Sequence, residues 1–146
     1  MNCTGPRKKR TITAALNLAV TLVDTARFAE AKQLLRTTIP TARRKLGDDH
    51  DLTLGLRKNY GKSLSNDDTA SHSDLREAVA VLEDVERRGR RVYADDEYET
   101  ETITGALREA RQKLVNAERA DAIANVDRLR DELAAAEAAL AAMRSF

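Results

Sequence analysis

Arg43–Leu54 reads RRKLGDDHDLTL, and Arg90–Glu101 reads RRVYADDEYETE. The paired arginines, Asp48/Asp95, Asp49/Asp96 and Thr53/Thr100 all recur 47 positions apart. Upstream, Thr11–Ala19 (TITAALNLA) aligns with Thr53–Gly61 (TLGLRKNYG) at a spacing of 42. Self-similarity at this period, with apolar residues at three- and four-residue steps inside each unit, predicts an all-α stack of helix pairs. The chain has 146 residues, enough for one domain or for a piece of a longer array.

Composition supports helices. Hydrophobic residues make up 42% and charged ones 34%, whereas aromatics are only 3% and Trp is absent. Such a chain packs through Ala and Leu and lacks the β-branched and aromatic alternation of a sandwich or barrel. The net charge of +1 hides a gradient: residues 1–46 carry 10 basic and 2 acidic groups, while the rest is net acidic. A basic first third facing an acidic remainder could orient head-to-tail stacking or attract an acidic partner; charged outer helix faces are the blander account and the preferred one.

Met1–Arg10 (MNCTGPRKKR) lacks apolar periodicity and reads as a basic, flexible arm, or as the edge left by a longer array. No aromatic is interleaved for base stacking, which argues against nucleic acid as the partner. The first helix is expected over Thr11–Asp24, with Ile12, Ala15, Leu18, Ala19 and Leu22 as its stripe. The second, about Ala26–Leu46, contains Pro40, which predicts a kink near Arg36–Pro40; Gly47 supplies the stop and Asp48-Asp49 the next cap. Asp51–Asn66 is the third helix, and Asp67–Asp74 expands the following turn by five residues. Asp74 is read as the N-cap of the fourth helix, with Glu77 three residues later.

From Asp96 to Met143 there is no proline and one glycine. Ala122, Val126, Leu129, Leu133, Ala136, Leu140 and Met143 follow strict four-three spacing, out of register with the preceding stripe around Arg119–Asp121. This predicts a long helix, jogged there, whose end either packs back on the repeats or self-associates through Val126–Met143.

The unit built from Thr11, Asn17-Leu18-Ala19, Glu30-Ala31, Leu34-Leu35, Ala42-Arg43-Arg44, Leu46-Gly47, Asp49-His50 and Thr53-Leu54 resembles the tetratricopeptide repeat of kinesin light chains. It is also similar to short tetratricopeptide proteins of algae and other protists that are not motor subunits. The resemblance implies a superhelical array: repeat 1 over 11–52, repeat 2 over 53–99, an opening helix of repeat 3 over 100–115, and an Ala-rich heptad-like helix over 116–146. It implies a protein-binding scaffold, with the first helix of each pair lining a concave groove. Leu18/Tyr60, Ala19/Gly61 and Leu22/Leu64 are then taken up by packing, which leaves Thr13, Leu16, Asn17 and Val20, with Gly55, Lys58, Asn59 and Lys62, facing a peptide or a partner's helix. An asparagine amide serves a peptide backbone as donor and acceptor, and two lysines one turn apart favour an acidic segment. A solvated face, with Asn17 and Asn59 bonding locally, is the plainer alternative. So is a structural subunit anchored by its basic arm and last helix.

Other chemistries find little support. Cys3, His50 and His72 lack metal-ligand spacing, and His50 reads better as a turn cap. Asp48, Asp49 and Asp51 lack the glycine and the bidentate glutamate of a calcium loop. No phosphate loop and no catalytic constellation is visible, so neither cofactor nor enzyme activity is expected. A single cysteine and the absence of a long apolar run fit an intracellular, cytoplasmic protein without a membrane span.

Overall fold

The structure, a computed structural model, describes residues 6–145. Five helices follow one another: α1 (Pro6–Asp24), α2 (Phe28–Leu46), α3 (Asp51–Asn66), α4 (His72–Val92) and α5 (Glu97–Arg144). Helix α1 begins five residues before the expected start, at Pro6, whose fixed φ suits the first helical turn. Pro6–Arg10 of the expected arm are therefore helical; Met1–Gly5, with Cys3, lie outside the described residues.

Consecutive helices pack as antiparallel neighbours, and α1, α3 and α5 also touch in succession while α2 and α4 do not. The first helices of each pair thus form one continuous inner wall, with the second helices splayed outside. Equivalent residues build equivalent interfaces. Ile12, Ala19, Leu35, Ala42 and Leu56 cluster in the first unit. Leu64, Ala78 and Leu82 meet Ala106, Leu107 and Ala110 of α5 in the second.

The connections explain the two spacings. Helix α3 ends 42 residues after α1, but α4 starts 44 residues after α2. Its partner positions to α2 (Ala31/Ala78, Leu35/Leu82) lie 47 apart, so the inserted residues split between a longer turn and extra residues at the start of α4. The short first turn requires Ala26 at φ 58, a left-handed conformation unusual for a residue with a Cβ. Gly47 closes α2 at φ 92 and ψ 166, a region essentially reserved for glycine.

Several caps differ from expectation. Ser71, not Asp74, caps α4: the Ser71 hydroxyl accepts from Asp74 N–H and the Asp74 carboxylate accepts from Ser71 N–H. Asp74 fits as the third helical residue because its carboxylate there reaches back to the free N–H of Ser71. His50, rather than Asp48 or Asp49, caps α3 through Nδ1, which accepts from Leu52 N–H at 3.1 Å. Helix α2 runs through Pro40 without interruption, and α5 is unbroken across Arg119–Asp121.

Leu18, expected in the core, is 51% exposed. It lies on the face that would meet a preceding unit. Helix α5 is 48 residues long, about 72 Å at 1.5 Å per residue. Its first half packs through Ile103, Ala106, Leu107 and Ala110, and every described residue from Glu118 onward is exposed. The distal half does not fold back.

Candidate functional site

The inner wall is joined by a repeated forward reach. Leu16 of α1 lies on Gly55 of α3, so close that a Cβ at Gly55 would stand 3.2 Å from Leu16 Cδ2. Lys58 holds the equivalent place in α3, and its ammonium pairs with Glu99 of α5 at 2.7 Å. Asn59 is only 4% exposed, and its amide donates to Gly55 O at 2.8 Å. At the far end of the wall, Lys113 donates to Ser65 O and Asn66 Oδ1.

The sequence-nominated residues are therefore divided. Leu16, Gly55 and Lys58 take part in joining one unit to the next, and Asn59 bonds locally within α3. Asn17 and Val20 remain exposed, and Thr13 and Lys62 are half-buried. The Thr13 hydroxyl donates back to Lys9 O at 2.9 Å.

An open hollow of about 480 Å³ runs along α1, lined by Pro6, Lys9, Arg10, Thr13, Ala14 and Asn17. Moved by 42 positions, Arg10, Thr13, Ala14, Asn17 and Leu18 become Leu52, Gly55, Leu56, Asn59 and Tyr60. Of these, Leu52, Gly55, Leu56 and Tyr60 pack on the first unit. The hollow is the equivalent face, uncovered by any described residue. Arg7, Lys8, Lys9 and Arg10 crowd its upper end, have no ion-pair partner among the described residues, and lack any acidic residue in the first turn of α1. Four cations at a helix N-terminus oppose the macrodipole, a cost that a nearby anion removes.

The opposite end of the array is polar. A hollow of about 750 Å³ beside α5 is lined by Ala94, Asp95, Glu97, Thr100, Glu101, Thr104, Gly105 and Arg108. That composition is at ease in water, which α1's Ala14 and Leu18 are not.

A second cluster was invisible in the sequence because its members come from three segments. Asp84 of α4 accepts from Arg57 of α3 at 2.6 Å and from Arg88 at 3.0 Å, and pairs with Arg87. Arg88 also reaches Asp49, before α3, at 2.9 Å. Burial pushes the Asp84 carboxyl up, but the hydrogen bonds from Arg57 and Arg88 prevail and hold it at about 2. Three arginines share two carboxylates, and the arrangement clamps α3 to α4 instead of presenting a reactive group.

Among the described residues, no three His, Cys, Asp or Glu side chains gather as a metal-binding group. None of the described helices is long and apolar enough to cross a membrane.

Residues 11–51 match the family model described as tetratricopeptide repeat. Comparison with curated proteins and with solved structures gave no match. Five helices in stacked pairs, with that repeat over residues 11–51, give an all-α fold of the tetratricopeptide-array type. Such repeats generally serve as non-enzymatic protein–protein interaction modules.

Proposed function

We propose that this array is an adaptor whose uncovered α1 face takes an acidic helix or extended segment of a partner protein. The observation that carries the reading is the equivalence of faces: the stripe through Thr13, Ala14, Asn17 and Leu18 is the one with which α3 docks on the first unit. The cations Arg7–Arg10 beside it, without an ion-pair partner among the described residues, select for negative charge. Val20 and Lys62 extend the contact along the inner wall, while Leu16, Lys58 and Asn59 support it from behind. The first repeat's likeness to kinesin light chains is part of this proposal, as is an intracellular setting.

The test is a fluorescence-anisotropy titration with a labelled amphipathic peptide carrying Leu and Glu at helical spacing. A dissociation constant in the micromolar range is expected, weakened about tenfold in Arg10→Glu/Leu18→Ser. Equal binding to both proteins overturns the reading.

A second reading, a structural subunit held in an assembly by α5, draws on the exposed distal stripe from Val126 to Met143. Deleting Ala122–Phe146 leaves peptide binding intact under the first reading and abolishes assembly under the second.

A further inference from the structure

The distal half of α5 cannot be explained by the array. It carries Val126, Leu129, Leu133, Leu140 and Met143 exposed along one side, with Leu133 at 59% and Met143 at 74%. An isolated helix with such a stripe gains nothing from packing and is marginal in water. The spacing alternates four and three, the pattern of a helix laid against another helix.

The charges beside the stripe discriminate between occupants. Arg128 pairs with Glu132 within the helix at 2.7 Å. Arg130 and Glu137, one heptad apart on the other flank, have no ion-pair partner among the described residues. A parallel second copy sets Glu132 of one helix across from Glu137 of the other, twice, which is repulsive. An antiparallel copy with Leu133 opposite Leu129 sets Arg130 on Arg130 and Glu132 on Glu132. An antiparallel copy with Leu133 opposite Ala136 brings Leu129 over Leu140 and Val126 over Met143. In that register alone of the three, Arg130 of each copy lies beside Glu137 of the other, and Glu132 meets Ala139.

We infer that α5 forms an antiparallel two-stranded coiled coil with a second copy of this chain, over Val126–Met143, in the register that pairs Arg130 with Glu137. The overlap is 18 residues, about 27 Å, and leaves the two arrays at opposite ends of the rod with their α1 faces free. Small alanines opposite leucines allow close approach but bury little area, so the dimer forms in the micromolar range. The assignment does not depend on what α1 binds.

The experiment is sedimentation equilibrium of the full chain from 2 to roughly 200 μM, a span that brackets micromolar association. Wild type is expected to pass from monomer to dimer. Arg130→Glu alone and Glu137→Arg alone should each weaken association about tenfold, and the double exchange should restore it. Leu133→Asp should stay monomeric with unchanged thermal unfolding of the array. A wild-type chain that is monomeric throughout overturns the proposal and leaves the stripe to a different protein. Tighter association in Glu137→Arg points to the parallel arrangement and overturns it as well.

Discussion

Ala19 of α1 shares a cluster with Leu35 of α2; at the equivalent place α3 carries Gly61 against Leu82 of α4. The comparison extends along both units. Leu18 is exposed, while its counterpart Tyr60 is half-buried and bonded to Arg36 and Glu77. Asn17 is open, whereas Asn59 is closed off. Arg57, Asp84 and Arg88 clamp α3 to α4. In the first unit Arg27 pairs with Glu30 and Arg43 with Asp48 near the surface, and Lys32 reaches forward to Asp67. The same pattern is held more tightly in the second unit because α3 packs against α1, α2, α4 and α5, whereas among the described residues α1 packs against α2 and α3. The first unit keeps the residues of a stacking face that no described residue covers, and the proposed adaptor role rests on that face.

The sharpest way to break the parallel is at the small residues. Leu82→Ala should cost about 2–5 kcal/mol in urea unfolding. Gly61→Ala should cost about 1–3 kcal/mol, since its Cβ would stand 2.6 Å from Leu82 Cγ, which cannot swing away inside a filled core. In a Leu82→Ala background the same Gly61→Ala change should become favourable by up to about 1 kcal/mol, because alanine suits a helix better than glycine. No such sign change is expected for Ala19 with Leu35.

Acid should separate the units next. The Asp84 carboxyl, held at about 2, and Asp67, held at about 2 by hydrogen bonds from Thr69 and Lys32, both lie below the ordinary carboxylate value of 3.8. Each contributes stability that is complete above about pH 4 and is lost as pH falls toward 2. Circular dichroism on acidification should show Asp84→Asn with a lower starting stability and a flatter decline than wild type. Equal slopes would mean that the clamp contributes nothing.

The asparagines sharpen the contrast at smaller scale. Asn59→Ala should lower stability by about 1 kcal/mol, and Asn17→Ala should be neutral within about 0.5 kcal/mol in thermal melts. Smallest of all, Ala26→Gly should raise stability by up to about 1 kcal/mol by relieving the left-handed turn between α1 and α2. The longer turn before α4 has no residue at positive φ to relieve.

Much of the architecture is legible in the residues. The doubled Arg-Arg motif, the three-and-four spacing, Gly47 and the long proline-free end lead to helix pairs and a last long helix, because backbone periodicity and chain breakers act locally. The candidate surface is less legible. Asn17 and Asn59, or Leu16 and Lys58, are indistinguishable as sequence positions, since nothing local records whether a neighbour lies beyond them. The clamp around Asp84 joins pairs 27 and 39 positions apart, a pairing no spacing rule anticipates. The cap of α4 was within reach in Ser71-x-x-Asp74, the more ordinary form of the capping box.

The sequence by itself determined that this chain is a run of amphipathic helices with a repeat and an apolar seam at its end, because each of those follows from what a few consecutive residues do to a backbone. Tertiary structure alone decided which faces are consumed. Burial is a property of what stands opposite a side chain, so Tyr60 is tied down and Leu18 is free, and α5 is buried as far as Ala110, holds the array through Lys113, Glu118 and Asp121, and then runs on uncovered.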